Sequence, residues 1–171
     1  MAIDRENSPY RRGMRFDRSP IPMVEEDCIP IDAGTVTLVV ESRRLTNAII
    51  DDTYGEDLNP GIEFDDFGAT LHVCGAADGF EYLRFDCFEN EPHYHYIHHP
   101  DGGNTVVRID EVAVGDPLEF SLACVERQLA DMLRYCGAGS LADAVAAEPE
   151  RVEAAMAEVR ALMEKARLPV G

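Results

Sequence analysis

The sequence predicts an α+β domain: an antiparallel β meander of about four to six strands, then C-terminal helices packed on one face, with an extended arm at the N-terminus. Three observations carry this. Between residues 35 and 115, short segments alternate apolar and polar side chains, as half-buried strands do. After residue 116, apolar residues recur at intervals of three and four, as on a helix. Before residue 35, arginines and prolines interrupt both periods. The expected organisation is therefore an arm over 1–34 and one domain over 35–171, with the sheet in 35–115 and the helices in 116–171. A chain of 171 residues buries roughly 70% of its unfolded surface on folding, so one core suffices.

The arm contains Pro9, Pro20, Pro22 and Pro30, and Met14, Phe16, Ile21, Met23 and Val24 give it apolar anchors. Docking on its own body, on a second copy or on a protein partner is the expectation. TVTLVVES then sets Val36, Leu38 and Val40 on one face of a strand. DDTYGEDLNPG, from Asp51 to Gly61, reads as an acidic loop without the spacing of an EF-hand. FGATLHVC and FEYLRFDC alternate again, and the turn between them sets their register. With Ala77, Asp78 and left-handed Gly79 as the loop, Ala76 pairs with Phe80, Leu71 faces Phe85 and His72 faces Arg84. A two-residue turn would set Leu71 against Asp86 and spoil both faces.

HYHYIHH forms the next strand after Pro92, and DGGN turns the chain back into TVVRID. Asp116, Pro117 and Glu119 mark a helix start: a capping carboxylate, proline in the first helical position and glutamate at the third. Leu118, Leu122, Val125, Leu129, Met132 and Leu133 form its buried stripe, and Gly137 ends it. Ser140 with Asp143 opens a short helical turn. Pro149 opens the last helix, which Leu168 and Pro169 close.

The net charge is −18, but Arg5, Arg11, Arg12, Arg15 and Arg18 lie together in the arm, leaving ten basic against thirty acidic residues beyond it. Such a body repels phosphate backbones and argues against nucleic-acid binding. No apolar run approaches the roughly 20 residues that cross a bilayer, and five cysteines without a CxxC pair suit a reducing cytoplasm. Cys74, expected beside His72 on a polar face, is the one cysteine placed to serve as a nucleophile.

Four of the five histidines lie between residues 93 and 99. His93 and His95 project from one face of a strand and can share an ion, as in the HxH of cupins, and His99 falls on that face if the strand stays regular. These three are the candidate metal ligands, with His72, Asp86 and His98 as further candidates, and a mixed nitrogen and oxygen set suits Zn, Mn, Fe or Ni. Arg84, Asp86 and His72 are the candidate catalytic groups. The order of a histidine strand, a DG turn, LRFD, PH and a closing HH is similar to the TumE-like toxins of bacterial toxin–antitoxin pairs. The matching positions are His72, Arg84, Asp86, Pro92, His93, His98 and His99, within about residues 67–110. The likeness departs where CFENEP separates Asp86 from His93, and it implies a toxin-type nuclease. Two functions follow: first, a non-catalytic accessory or partner-binding subunit with a His-rich site; second, a metal-assisted hydrolase.

Overall fold

The described residues fold into seven strands, five α-helices and a single 3-10 turn (Glu25–Asp27): β1 (Met14–Phe16), β2 (Cys28–Ala33), β3 (Val36–Thr46), α1 (Asn47–Tyr54), β4 (Asp65–Gly75), β5 (Glu81–Phe88), β6 (His93–Ile97), β7 (Asn104–Arg108), α2 (Glu111–Val114), α3 (Pro117–Tyr135), α4 (Gly139–Ala147) and α5 (Pro149–Ala166). This is a computed structural model describing residue 8, residues 11–55 and residues 63–167. The expected α+β class holds. All strands pair antiparallel in one sheet of order β1-β7-β6-β5-β4-β3-β2.

The sheet has seven strands rather than the four to six expected, because the arm supplies both edges. Cys28–Ala33 pairs along β3 and Met14–Phe16 pairs with β7. The arm therefore does not extend to residue 34. Its strands escape periodicity because an edge strand packs few of its side chains: β1 is exposed throughout and Ile29 is largely so.

The β4–β5 register is the one the hydrophobic pattern requires. Leu71 faces Phe85, Val73 faces Leu83, His72 faces Arg84 and Thr70 faces Asp86. Gly79 adopts φ +67°. The tip differs from expectation: a bulge at Val73/Cys74 pairs Cys74 with Glu81, and the Gly75 N–H donates to the Phe80 carbonyl. The extra residue turns the Glu81 carboxylate towards His72 and Arg84, a re-aiming that bulges commonly produce.

One sheet face is the core. Leu38, Leu71, Leu83 and Phe85 are fully buried there against Leu118, Leu122 and Leu133 of α3 and Val159 and Met163 of α5. The Asp116 carboxylate caps α3 by accepting from the Leu118 N–H, with Pro117 in the first turn, as expected. Ser140 does not cap α4, which begins at Gly139 behind Ala138. Four residues expected to be loop, 51–54, are the end of α1. Ile50 and Tyr54, one turn apart, give that helix its apolar side, too short a signal to stand out beside two aspartates. Residues 56–61 of the expected acidic loop and the expected Leu168–Pro169 stop lie outside the described residues. The four-residue α2, capped by Asp110, was not anticipated.

The opposite face is polar, and a strap covers it. Because β1 and β2 occupy opposite edges, residues 17–27 must cross every intervening strand. Strands spaced about 4.8 Å apart make that span roughly 29 Å, against an extended reach of roughly 40 Å for the connection. The strap is therefore stretched and lies close. Arg43 donates to the Ile21 and Pro22 carbonyls at 3.0 and 3.2 Å, Arg84 donates to Ile21 at 2.5 Å, and the Val24 N–H donates to Glu41 at 3.0 Å. The apolar anchors contribute less than expected, since Met14, Phe16 and Val24 are exposed. Arg12 instead stacks on Tyr135, 4.2 Å from the ring centroid. Deleting residues 1–24 leaves buried guanidinium donors without acceptors, at about 1–3 kcal/mol each. Calorimetry should show a fall in Tm of roughly 4–24 °C, from the two guanidinium groups at about 2–4 °C per kcal/mol for a domain of this size. An unchanged Tm would mean that the strap contributes nothing.

Candidate metal centre

Strand register lays the polar face out in rows. Glu41 faces Thr70, Thr70 faces Asp86, and Asp86 faces His93; one step along, Val39, His72, Arg84, His95 and Val106 stand in line. Glu41, Thr70, His72, Arg84, Asp86 and His95 are all buried. So many buried polar groups persist only when they satisfy one another.

Half of the face is a closed ion network. The His72 ring stands 2.5 Å from Glu81 through Nδ1 and 2.9 Å from Glu41 through Nε2. With a carboxylate at each nitrogen, the ring donates two protons and is an imidazolium. Burial disfavours its charge, but the hydrogen bonds to Glu41 and Glu81 raise its pKa overall. Burial likewise opposes ionisation of Glu81, and the bonds from His72 and Arg84 outweigh it, bringing its pKa to about 2. Arg84 donates to Glu81 through Nε and Nη2, both at 2.8 Å, and Arg43 binds both oxygens of Glu41 at 3.1 and 3.0 Å.

These shifts define a pH window. His72, raised, stabilises fully below its ordinary value of 6.5 and loses that contribution as pH rises through its folded value. Glu41 and Glu81, lowered, stabilise fully above their ordinary 4.5 and lose that contribution as pH falls. The network should stabilise most between about pH 4.5 and 6.5. Thermal melts from pH 3 to 9 should show wild type losing stability on the alkaline side relative to His72→Gln. Parallel curves there would show that His72 is not charged.

Asp86 is bound differently. Its carboxylate accepts from the Thr70 hydroxyl at 2.7 Å, and no arginine donates to it among the described residues. The Nε2 atoms of His95 and His93 stand 3.1 and 3.3 Å from the same oxygen, Oδ2. The other ring nitrogens reveal the tautomers. Asn104 donates its amide N–H to the Arg18 carbonyl at 2.7 Å, so its oxygen must face His95 Nδ1, 2.9 Å away, and that nitrogen donates. His93 Nδ1 donates to the Glu91 carbonyl at 2.7 Å. Both Nε2 atoms thus face one carboxylate oxygen, an arrangement that calls for positive charge between them, a proton on the ring or an ion.

A proton meets only part of that requirement. Burial opposes charge on His93, but the bond to Asp86 raises its pKa; for His95, burial prevails and the pKa is lowered. A divalent ion would meet all of it. Ligands about 2.1 Å from one ion stand about 3.0–3.4 Å apart, which matches both contacts to Asp86. One ligand atom from each of Asp86, His93 and His95 lies within 4.8 Å of the others.

The remaining candidates lie elsewhere. His99 does not share the face of His93 and His95, because β6 ends at Ile97. Its ring packs on Phe80 at 5.0 Å and near Tyr82. His98 bonds Thr105 at 2.8 Å. His72 groups with Cys28 and Glu41, but as an imidazolium it has no lone pair for an ion. For the same reason it is no catalytic base, and Arg84 is held by Glu81 and the strap. Burial pushes the Cys74 thiol up to about 12, so it is no nucleophile either.

Three supporting residues went unread in the sequence. Asn104 was only a turn residue, although its place diagonal to His95 follows from the β6–β7 register. Asp66 accepts from the Asn90 and Glu91 N–H groups at 3.1 and 2.8 Å, setting the carbonyl that orients His93. Glu41, a charge directly after the apolar run Leu38–Val40, was the visible signal. Above the centre lies a cavity of about 330 Å³. Asp86, His93 and His95 are at its floor, Pro20 and Ile21 of the strap and Ile50 and Tyr54 of α1 around it.

Residues 30–163 match the family described as Domain of unknown function (DUF7700). No curated protein and no solved structure matches the chain.

Proposed function

We propose that this chain, which belongs to the DUF7700 family, holds one divalent transition-metal ion on Asp86, His93 and His95 and uses it on a small molecule bound in the cavity above. The observation that carries the reading is the anchoring of both Nδ1 atoms, which turns the two Nε2 atoms onto one carboxylate oxygen. Two histidines and one carboxylate suit Zn, Mn, Fe or Ni and leave coordination positions open. Such an ion supplies Lewis acidity to a water or substrate oxygen, the basis of metal-assisted hydrolysis. The roofed, largely apolar cavity favours a small molecule over the RNA strand that the toxin resemblance implies. Five unpaired cysteines are in keeping with a cytoplasmic setting. Among the described residues no helix is long and apolar enough to cross a membrane.

The test is elemental analysis of protein purified without a histidine tag. About one ion per chain should be retained, and lost in the His93→Ala, His95→Ala double variant. Protein that takes up none of the four metals at neutral pH overturns the reading. The second reading, an accessory subunit docking on a protein partner, is favoured by Val112, which is 98% exposed, and by its exposed neighbour Val114.

A further inference from the structure

The charges on the polar face are balanced before any ion is added. Glu41 and Glu81 are bonded to Arg43, Arg84 and the His72 imidazolium, and Asp86, bonded to Thr70, brings the third negative charge against these three positive ones. A divalent ion on Asp86, His93 and His95 makes the floor net positive in a region of low dielectric, where an unmatched charge is costly. Something anionic must accompany it. The cavity wall offers no further carboxylate: beyond the floor and its arginines, it is made of residues such as Ile21, Leu45, Ile50, Phe64 and Val106. One more cation, Arg18, lines it; that side chain is exposed, lies 5.1 Å over the Tyr54 ring and forms no ion pair among the described residues.

We propose that the cavity takes a small carboxylic acid with an apolar body, its carboxylate at the metal floor and its hydrocarbon against Ile21, Leu45, Ile50 and Phe64. This rests on the metal reading. The carboxylate neutralises the surplus charge and can occupy an open coordination position. The hydrocarbon replaces water along an apolar wall, and each buried methylene adds to its affinity. The cavity falls in the size range of small-molecule sites. A neutral molecule of the same shape would fill the wall and leave the floor unbalanced. A phosphate would meet the charge and lose the wall, and a sugar would meet neither.

The experiment is calorimetry on the full-length protein loaded with zinc, titrated with octanoate and with octanamide. Octanoate should bind at least tenfold tighter than the amide, and chelator-treated protein should lose that preference. Ile50→Glu places a like charge in the wall, on a surface helix without fully buried residues. It should weaken octanoate at least tenfold while the zinc content, measured separately, stays the same. Equal affinity for acid and amide in zinc-loaded protein overturns the ligand class and leaves the metal centre standing. Protein that takes up no zinc overturns the centre itself. Unchanged octanoate affinity in Ile50→Glu overturns the placement of the hydrocarbon.

Discussion

Glu81→Ala should lower the Tm of the protein by roughly 6–20 °C at pH 6. The estimate combines about 3–5 kcal/mol for breaking a buried ion pair with about 2–4 °C per kcal/mol. Glu81 is the carboxylate that His72 and Arg84 share, and its side chain is only 17% exposed. Its loss leaves two cations in a dry face, with Glu41 able to answer only one of them. Glu81→Gln keeps an acceptor but not the charge and should cost less. The pH dependence separates charge from packing. Above the raised pKa of His72 the ring is neutral and one of the two stranded charges disappears, so the difference between wild type and Glu81→Ala should shrink as pH rises. A difference constant from pH 6 to 9 would assign the loss to packing alone.

Adding zinc at 100 times its Kd should stabilise wild type by about 2.7 kcal/mol, a rise in Tm of roughly 5–11 °C. His95→Ala should show no rise. His99→Ala should show the full rise, since His99 belongs to the Phe80 and Tyr82 packing. Asn104→Leu is the more discriminating variant. It leaves every ligand in place but removes the group that fixes the His95 tautomer, and it should weaken metal affinity about 10–100-fold. If Asn104→Leu binds zinc like wild type, the tautomer argument fails even where the ion is real.

The meander and the β4–β5 register were legible because one face of each strand is wholly apolar, and a slip of one residue would bury Asp86 against the helices. His93 and His95 were legible as a pair for the same reason, spacing on a strand. Asp86 was only one candidate among several, since its distance from His93 in sequence says nothing until β5 and β6 are paired. His99 was misplaced because nothing in HYHYIHH marks the end of a strand at Ile97. The strap was the largest omission. Edge strands with exposed side chains leave no periodic trace, and main-chain carbonyls that accept from Arg43 and Arg84 are invisible in any sequence pattern.

The crossing of the strap also orders assembly in time. Each pairing from β3 to β7 joins strands that are neighbours in the chain, whereas Met14 meets Val106 only after the entire meander has been made. Contacts of long sequence separation incur more loop-closure entropy and form late. During synthesis β1 therefore emerges before the meander and is seated after it. During that interval Asp86, His93 and His95 already stand together on the finished strands, uncovered, so an ion can reach them before the chain closes over its route of entry.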